Sequence, residues 1–101
     1  MKFIIWTKEQ EKAHKKIKQF LESYKKRKIG ISIHATTGPK TNFVAIDFEN
    51  KDILFGLWED SFHIPQWFGD KIDKIYIDLN LLSIQKDINF IKKISKEIEF
   101  F

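Results

Sequence analysis

His14, His34 and His63 are the only histidines in this chain, and they are its most versatile groups for acid–base or metal chemistry. None of them forms a His-x-x-x-His pair on a helical stretch, so the spacing offers no zinc seat. His34 with Asp47 or Glu59 has the residue types for proton transfer, although a histidine on a strand surface serves equally well as a contact. Gly38-Pro39-Lys40-Thr41 has the ending of a phosphate-binding loop. The first glycine of that motif is missing and a strand follows where a helix N-terminus is needed, so the segment reads as a turn. Asp47-Phe48-Glu49-Asn50-Lys51 sets carboxylates and an amine close together, as some metal-dependent nucleases do. Here the upstream aspartate is wrongly spaced, and Glu49 and Lys51 flank a turn, which reads as a polar strand end. No serine or threonine has a recognisable activating partner. The expectation is a non-enzyme with no catalytic residue, metal or cofactor.

A second kind of chemistry, contact by large rings, is better represented. Ile29, Ile31 and Ile33 alternate with Gly30, Ser32 and His34, the period of a half-buried strand. Thr37-Gly38-Pro39-Lys40 is a turn. Val44, Ile46 and Phe48 form the apolar set of a second strand, and Ile53, Phe55 and Leu57 that of a third, with Asn50-Lys51 as a two-residue turn between them. Pairing about these turns sets Ile33 opposite Val44 and Val44 opposite Leu57. The outward rows are then His34–Phe43–Trp58, Ser32–Ala45–Gly56 and Gly30–Asp47–Leu54. A row of three rings beside a row of small residues reads as a surface for a partner, rimmed by Asp47, Glu59 and Asp60.

The elements that must position this row read as β-α-β-β-β-β-α. Phe3-Ile4-Ile5-Trp6 is apolar on both faces and suits a central strand. Thr7 with Gln10 has the form of a capping box. The helix from about Lys8 to Lys28 carries an apolar stripe of Ala13, Ile17, Phe20, Leu21 and Tyr24. Residues 61–73 are irregular and aromatic, with Phe62, His63, Pro65, Trp67 and Phe68, and either fold over the row or leave it open. Lys74 to Asn80 returns to strand, with Ile75, Ile77 and Leu79 inward and Tyr76 outward. Ser83 or Asn80 caps a last helix striped by Ile84, Ile88, Ile91, Ile94 and Ile98. The expected fold is α+β: one domain over residues 1–101, with a mostly antiparallel five-stranded sheet and both helices packed on one face as a two-layer sandwich.

Composition bounds the partners. The chain has 101 residues, no cysteine and a formal net charge of +4. It therefore has no disulfide framework. Met1 to Thr7 is too short an apolar run for a signal peptide, and nothing approaches the ~20 apolar residues of a membrane span. A soluble, cytoplasmic protein is expected. Arginine, the preferred residue for bidentate phosphate and base contacts, occurs only as Arg27. Residues 8–28 carry a net of +6 and residues 29–101 a net of −3. With the basic helix behind the sheet and the acids around the rings, a protein partner fits better than nucleic acid.

The expected function is thus a non-catalytic protein-binding module. The class in view is a small inhibitor, an immunity-type or anti-defence protein that blocks a basic partner such as a nuclease or toxin. Its contacts would be His34, Phe43, Asp47, Trp58, Glu59, Asp60, Phe62, Trp67 and Tyr76. The alternative is nucleic-acid binding through Lys8, Lys12, Lys15 and Lys26, or by base stacking on the rings. A third reading is a small enzyme with a site shared across a homodimer.

Overall fold

A computed structural model of the chain describes residues 1–22, 30–35, 42–48 and 52–101, with 30–35 and 42–48 described through their backbone pairing. The elements are β1 (Lys2–Trp6), α1 (Gln10–Glu22), β2 (Gly30–Ala35), β3 (Asn42–Phe48), β4 (Asp52–Leu57), β5 (Ile72–Ile77), α2 (Ile84–Ile94) and β6 (Ser95–Phe100). They build one six-stranded sheet in the order β2-β3-β4-β1-β5-β6.

This sheet corrects the five-stranded, mostly antiparallel expectation. The four neighbours β4, β1, β5 and β6 all run parallel, and only β3 runs against its neighbours β2 and β4. The run of antiparallel neighbours ends at β4 because β1 inserts between β4 and β5, pairing Lys2 with Ile53 and Phe3 with Lys74. The chain between β4 and β5 must then cross over β1, as parallel strands require. β1 is central and buried from Phe3 to Trp6, as its two-sided apolar pattern implies.

The helices lie on opposite faces, not on one. Alternation along β1 sends Phe3 and Ile5 to one side, where Ala13 and Ile17 of α1 meet them with Leu54 and Trp58. Ile4 and Trp6 go to the other, where they join Phe55, Leu57, Ile75, Ile77 and Ile91 of α2. A sheet with helices on both faces has three layers, which replaces the two-layer sandwich.

The last helix is also shorter than its isoleucine stripe suggests. α2 ends at Ile94, Ser95 turns to extended backbone, and Ile98 pairs with Ile75 in β6. A spacing of four keeps two residues on one side of a helix and equally on one side of a strand, so Ile94 and Ile98 fit both periods. Ser83 occupies the N-cap of α2, but its hydroxyl donates to the Asp60 carbonyl and makes no cap bond. In the same way, Thr7 does not close a box with Gln10. Its hydroxyl oxygen accepts the Glu9 N–H at 3.1 Å, a turn two residues long. Of the α1 stripe, Ala13 and Ile17 are buried, Phe20 and Leu21 pack against them, and Tyr24 lies outside the described residues.

The crossover turns back on itself where Phe68 N–H donates to the Pro65 carbonyl at 3.0 Å and Gly69 takes a φ of 86°. Lys2 Nζ donates to the Phe68 carbonyl and sits 5.6 Å from the centre of that ring. Gly69→Ala is therefore expected to cost about 1–2 kcal/mol from the left-handed backbone alone. A methyl there would meet Lys2 Nζ at 2.9 Å, a contact the flexible lysine can relieve. Thermal denaturation should show a fall of roughly 4–8 °C per kcal/mol, and Lys2→Met should not rescue it.

Candidate functional site

The strand order brings the carboxyl ends of β4, β1 and β5 side by side. The chain leaves β1 towards α1 on one face and leaves β5 towards α2 on the other. Such a divergence opens a crevice where open α/β sheets commonly bind ligands. In this protein Asp78, Thr7 and Lys12 meet at that end of the sheet. Asp78, almost wholly buried, accepts the Thr7 hydroxyl on Oδ2 at 2.6 Å. Its Oδ1 accepts the Asn80 N–H at 2.9 Å and Lys12 Nζ at 3.1 Å. Burial works to raise the Asp78 pKa, but the bonds from Thr7, Asn80 and Lys12 outweigh it and hold the carboxyl below its ordinary range. A carboxylate ionised and occupied on both oxygens fastens α1 to the end of β5; it is poorly placed to abstract a proton.

Around it charged groups pair, one across the sequence and two within a turn. Lys8 pairs with Asp60 at 3.3 Å, and Lys12 also reaches Glu9 at 3.9 Å. Glu59 receives His63 Nδ1 at 2.5 Å, while its carbonyl accepts the indole N–H of Trp6 at 2.9 Å. The separation of a basic helix behind from an acidic rim in front is thus lost at this end. Two of the four lysines considered for nucleic acid, Lys8 and Lys12, are tied to acids. Lys15 is exposed, and Lys26 lies outside the described residues.

The expected ring row is not assembled. Its first pair holds: β2 and β3 pair His34 with Phe43, in the register read from the turn. β3 and β4, however, pair Phe43 with Leu57 and Phe48 with Asp52. Residues 49–51 then separate the strands, one more than the two-residue turn assumed, and a one-residue slip exchanges the faces. Asp47 pairs with Ile53 rather than Leu54. Leu57 belongs to the core on the α2 side, and Trp58 is buried on the α1 side, 5.8 Å edge-on from His14. Trp58 Nε1 meets no acceptor among the described residues. The side chains of His34, Phe43 and Asp47 lie outside the described residues.

The aromatic crossover does fold over the sheet, on the α2 side. Phe68 is core, and Phe62 and Ile64 pack against the same cluster. Phe62 lies 5.1 Å from Trp6 and 6.3 Å from Phe90 of α2. Burying these rings leaves two others out. Trp67 is 58 % exposed and Phe90 52 % exposed. Between the crossover and α2 runs a groove of ≈ 330 Å³ lined by Ile64, Pro65, Gln66, Gly69, Asp70 and Phe90. Trp67 stands in the same turn as Pro65 and Gln66, with its ring edge-on to Phe68 at 5.8 Å. Tyr76 is not part of this surface. It faces the α1 side, edge-on to Phe20 at 6.1 Å.

Of the expected contacts, the crossover carries Phe62, packed between Trp6 and Phe90, and Trp67, packed edge-on to Phe55 and Phe68; Phe90, which lines the groove, is a ring that the sequence pattern alone did not single out. The signal was present: Phe90 stands beside, not on, the stripe of Ile84, Ile88 and Ile91, and an aromatic off the stripe of an amphipathic helix faces water. Among the described residues no group of histidines and acids could hold a metal ion, and no helix is long and apolar enough to cross a membrane. Comparison with protein-family models, with curated proteins and with solved structures finds no match.

Proposed function

We propose that this protein is a protein-binding module whose contact surface is the ridge raised by the turn that carries Trp67, with the adjoining groove that Phe90 lines. The observation that carries this reading is the exposure of two large rings within a molecule that buries Trp6, Phe55, Trp58 and Phe68. Exposed apolar area of this kind marks interaction surfaces in globular proteins, and tryptophan is among the commonest anchors of binding energy. The occupant that fits is a partner's apolar side chain laid in the groove along Ile64, Pro65 and Phe90. A basic neighbour of that side chain would face Asp70, which keeps a basic partner such as a nuclease as the first to try, with the protein as its blocker. The rings, and not an acid rim, supply the affinity in this arrangement, because Asp60 and Glu59 already answer Lys8 and His63.

Trp67→Ala combined with Phe90→Ala is expected to abolish recovery of the native-cell partner in an affinity pull-down. The same variant should keep its melting temperature within a few degrees, since neither ring is core. Trp58→Ala makes the control: it is buried, and should lower stability first. Undiminished capture by the double variant, with the fold intact, would exclude this surface.

A further inference from the structure

The α1 side of the sheet holds a separate groove, created by topology. α1 packs over β1 and β4 and reaches β5 only with its flank at Tyr76, and α2 lies on the opposite side, so among the described residues no helix lies above β6 on the α1 side. The hollow between the flank of α1 and these strands measures ≈ 430 Å³, within the range of small-molecule sites. Its apolar part is aromatic: Phe3 and Phe20 meet edge to face at 4.9 Å, with Tyr76 beside Phe20.

Two ammonium groups converge at its far side. Lys16 Nζ and Lys74 Nζ each lie 4.9 Å from the centre of the Tyr76 ring. Both are withdrawn from water, their side chains being 17 % and 24 % exposed. Two cations held this close repel unless an anion lies between them. Glu99 fills that place, with Oε2 3.2 Å from Lys16 and Oε1 3.2 Å from Lys74. Glu97 adds a longer contact to Lys74 at 3.8 Å. The Lys74 hydrogen bond holds the Glu99 carboxyl below its ordinary range, so the bridging group is an anion at neutral pH.

Glu99 differs from the lysines in being exposed and in standing on the outermost strand. A rotation of its side chain returns it to water and leaves an oxyanion seat between two cations, at the edge of an aromatic hollow. We propose that this groove binds a small oxyanion carrying an aromatic ring, a carboxylate or a phosphate monoester, with Glu99 as the tethered occupant that the ligand displaces. The anionic end would lie between Lys16 and Lys74, and the ring against Phe3, Phe20 and Tyr76. The site is independent of the Trp67 ridge, which lies on the other side of the sheet.

The test is a calorimetric titration of the full chain with phenylacetate and with phenyl phosphate. Inorganic phosphate serves as the control without a ring and benzyl alcohol as the control without a charge. Saturable binding of an aryl anion, weaker for both controls, is the expected result, and the two arms tell carboxylate from phosphate. Glu99→Gln removes the internal competitor and should tighten binding by about tenfold if the seat stands open roughly a tenth of the time. Lys16→Met and Lys74→Met keep the stems and should each weaken binding by about tenfold or more, as loss of a charge-assisted bond does. Absence of saturation in both wild type and Glu99→Gln overturns the proposal, as does binding of inorganic phosphate as tight as that of phenyl phosphate. Saturation by wild type with the expected order of ligands supports it even where a lysine variant fails to fold.

Discussion

Asp78→Ala is expected to lower the melting temperature by roughly 15 °C, from a loss of about 3 kcal/mol at ~4–8 °C for each kcal/mol in a domain of this size. The carboxylate is buried, and removing it strands what points at it: the hydroxyl of fully buried Thr7, the N–H of Asn80 and the ammonium of Lys12. Lys12 is partly open to water and can recover some solvation, which keeps the loss at the lower end for a broken buried pair. Thr7→Val should cost less, about 1–2 kcal/mol: the Asp78 carboxylate loses one donor but keeps its others, and the Glu9 N–H that loses its acceptor lies in a partly open turn. A cycle of Thr7→Val, Lys12→Met and the double variant, read by urea denaturation, would measure how far the two donors support each other.

The same group makes the fold sensitive to acid. The Asp78 pKa is depressed in the folded chain, so the unfolded chain takes up the proton first as pH falls. The stabilisation is fully present above the ordinary carboxylate range near ~4 and is lost as pH drops through the lower, folded value. Asp73 shifts in the same direction, held chiefly by the Lys2 N–H at 2.7 Å, and Glu99 does so through Lys74. Stability should therefore fall as pH drops below the ordinary carboxylate range near ~4. Asp78→Asn should show a shallower decline there from a lower starting point.

Trp6→Ala is the second large effect, with an expected cost of about 4 kcal/mol, typical of deleting a buried ring. Trp6 is fully buried at the end of β1, where its ring meets Phe62 and its indole N–H donates to the Glu59 carbonyl. These contacts fasten the start of the crossover to the sheet. The variant should therefore lose partner capture even though Trp67 and Phe90 are untouched, since the turn that presents Trp67 is no longer anchored at its start. Trp6→Phe separates the two contributions. It keeps most of the packing and leaves the Glu59 carbonyl without its donor, for about 1–2 kcal/mol. Near-wild-type capture by Trp6→Ala would show that the ridge is positioned by other contacts.

The features legible in the sequence were those specified by a contrast between two faces. The β2–β3 register followed from its turn and alternation. The central place of β1 followed from its unbroken apolar run, and α1 from its stripe. Residues 52–58 offered no such contrast. Ile53, Phe55 and Leu57 make one apolar set and Leu54 and Trp58 the other, and both are needed because β4 is covered on both faces. With both sets largely apolar, the pattern discriminated poorly between registers one residue apart, and the ring row was built on that slip. β6 was hidden for a related reason, since isoleucines four apart satisfy either period. The side of the sheet that α2 takes is not a local property at all. It depends on the crossover from β4 to β5 passing over β1, which only the three-dimensional strand order discloses.

The central position of β1 also sets a timetable. It precedes both of its hydrogen-bonding neighbours in the chain, β4 and β5, which begin at Asp52 and Ile72. At ~5–20 residues per second, a strand rich in isoleucine and tryptophan waits several seconds on the ribosome with both edges open. Nothing local can shield those edges early, because the pairs that close them are among the most distant in the chain. Nascent-chain crowding or slow elongation should therefore harm the yield of this protein more than the stability of its finished fold would suggest.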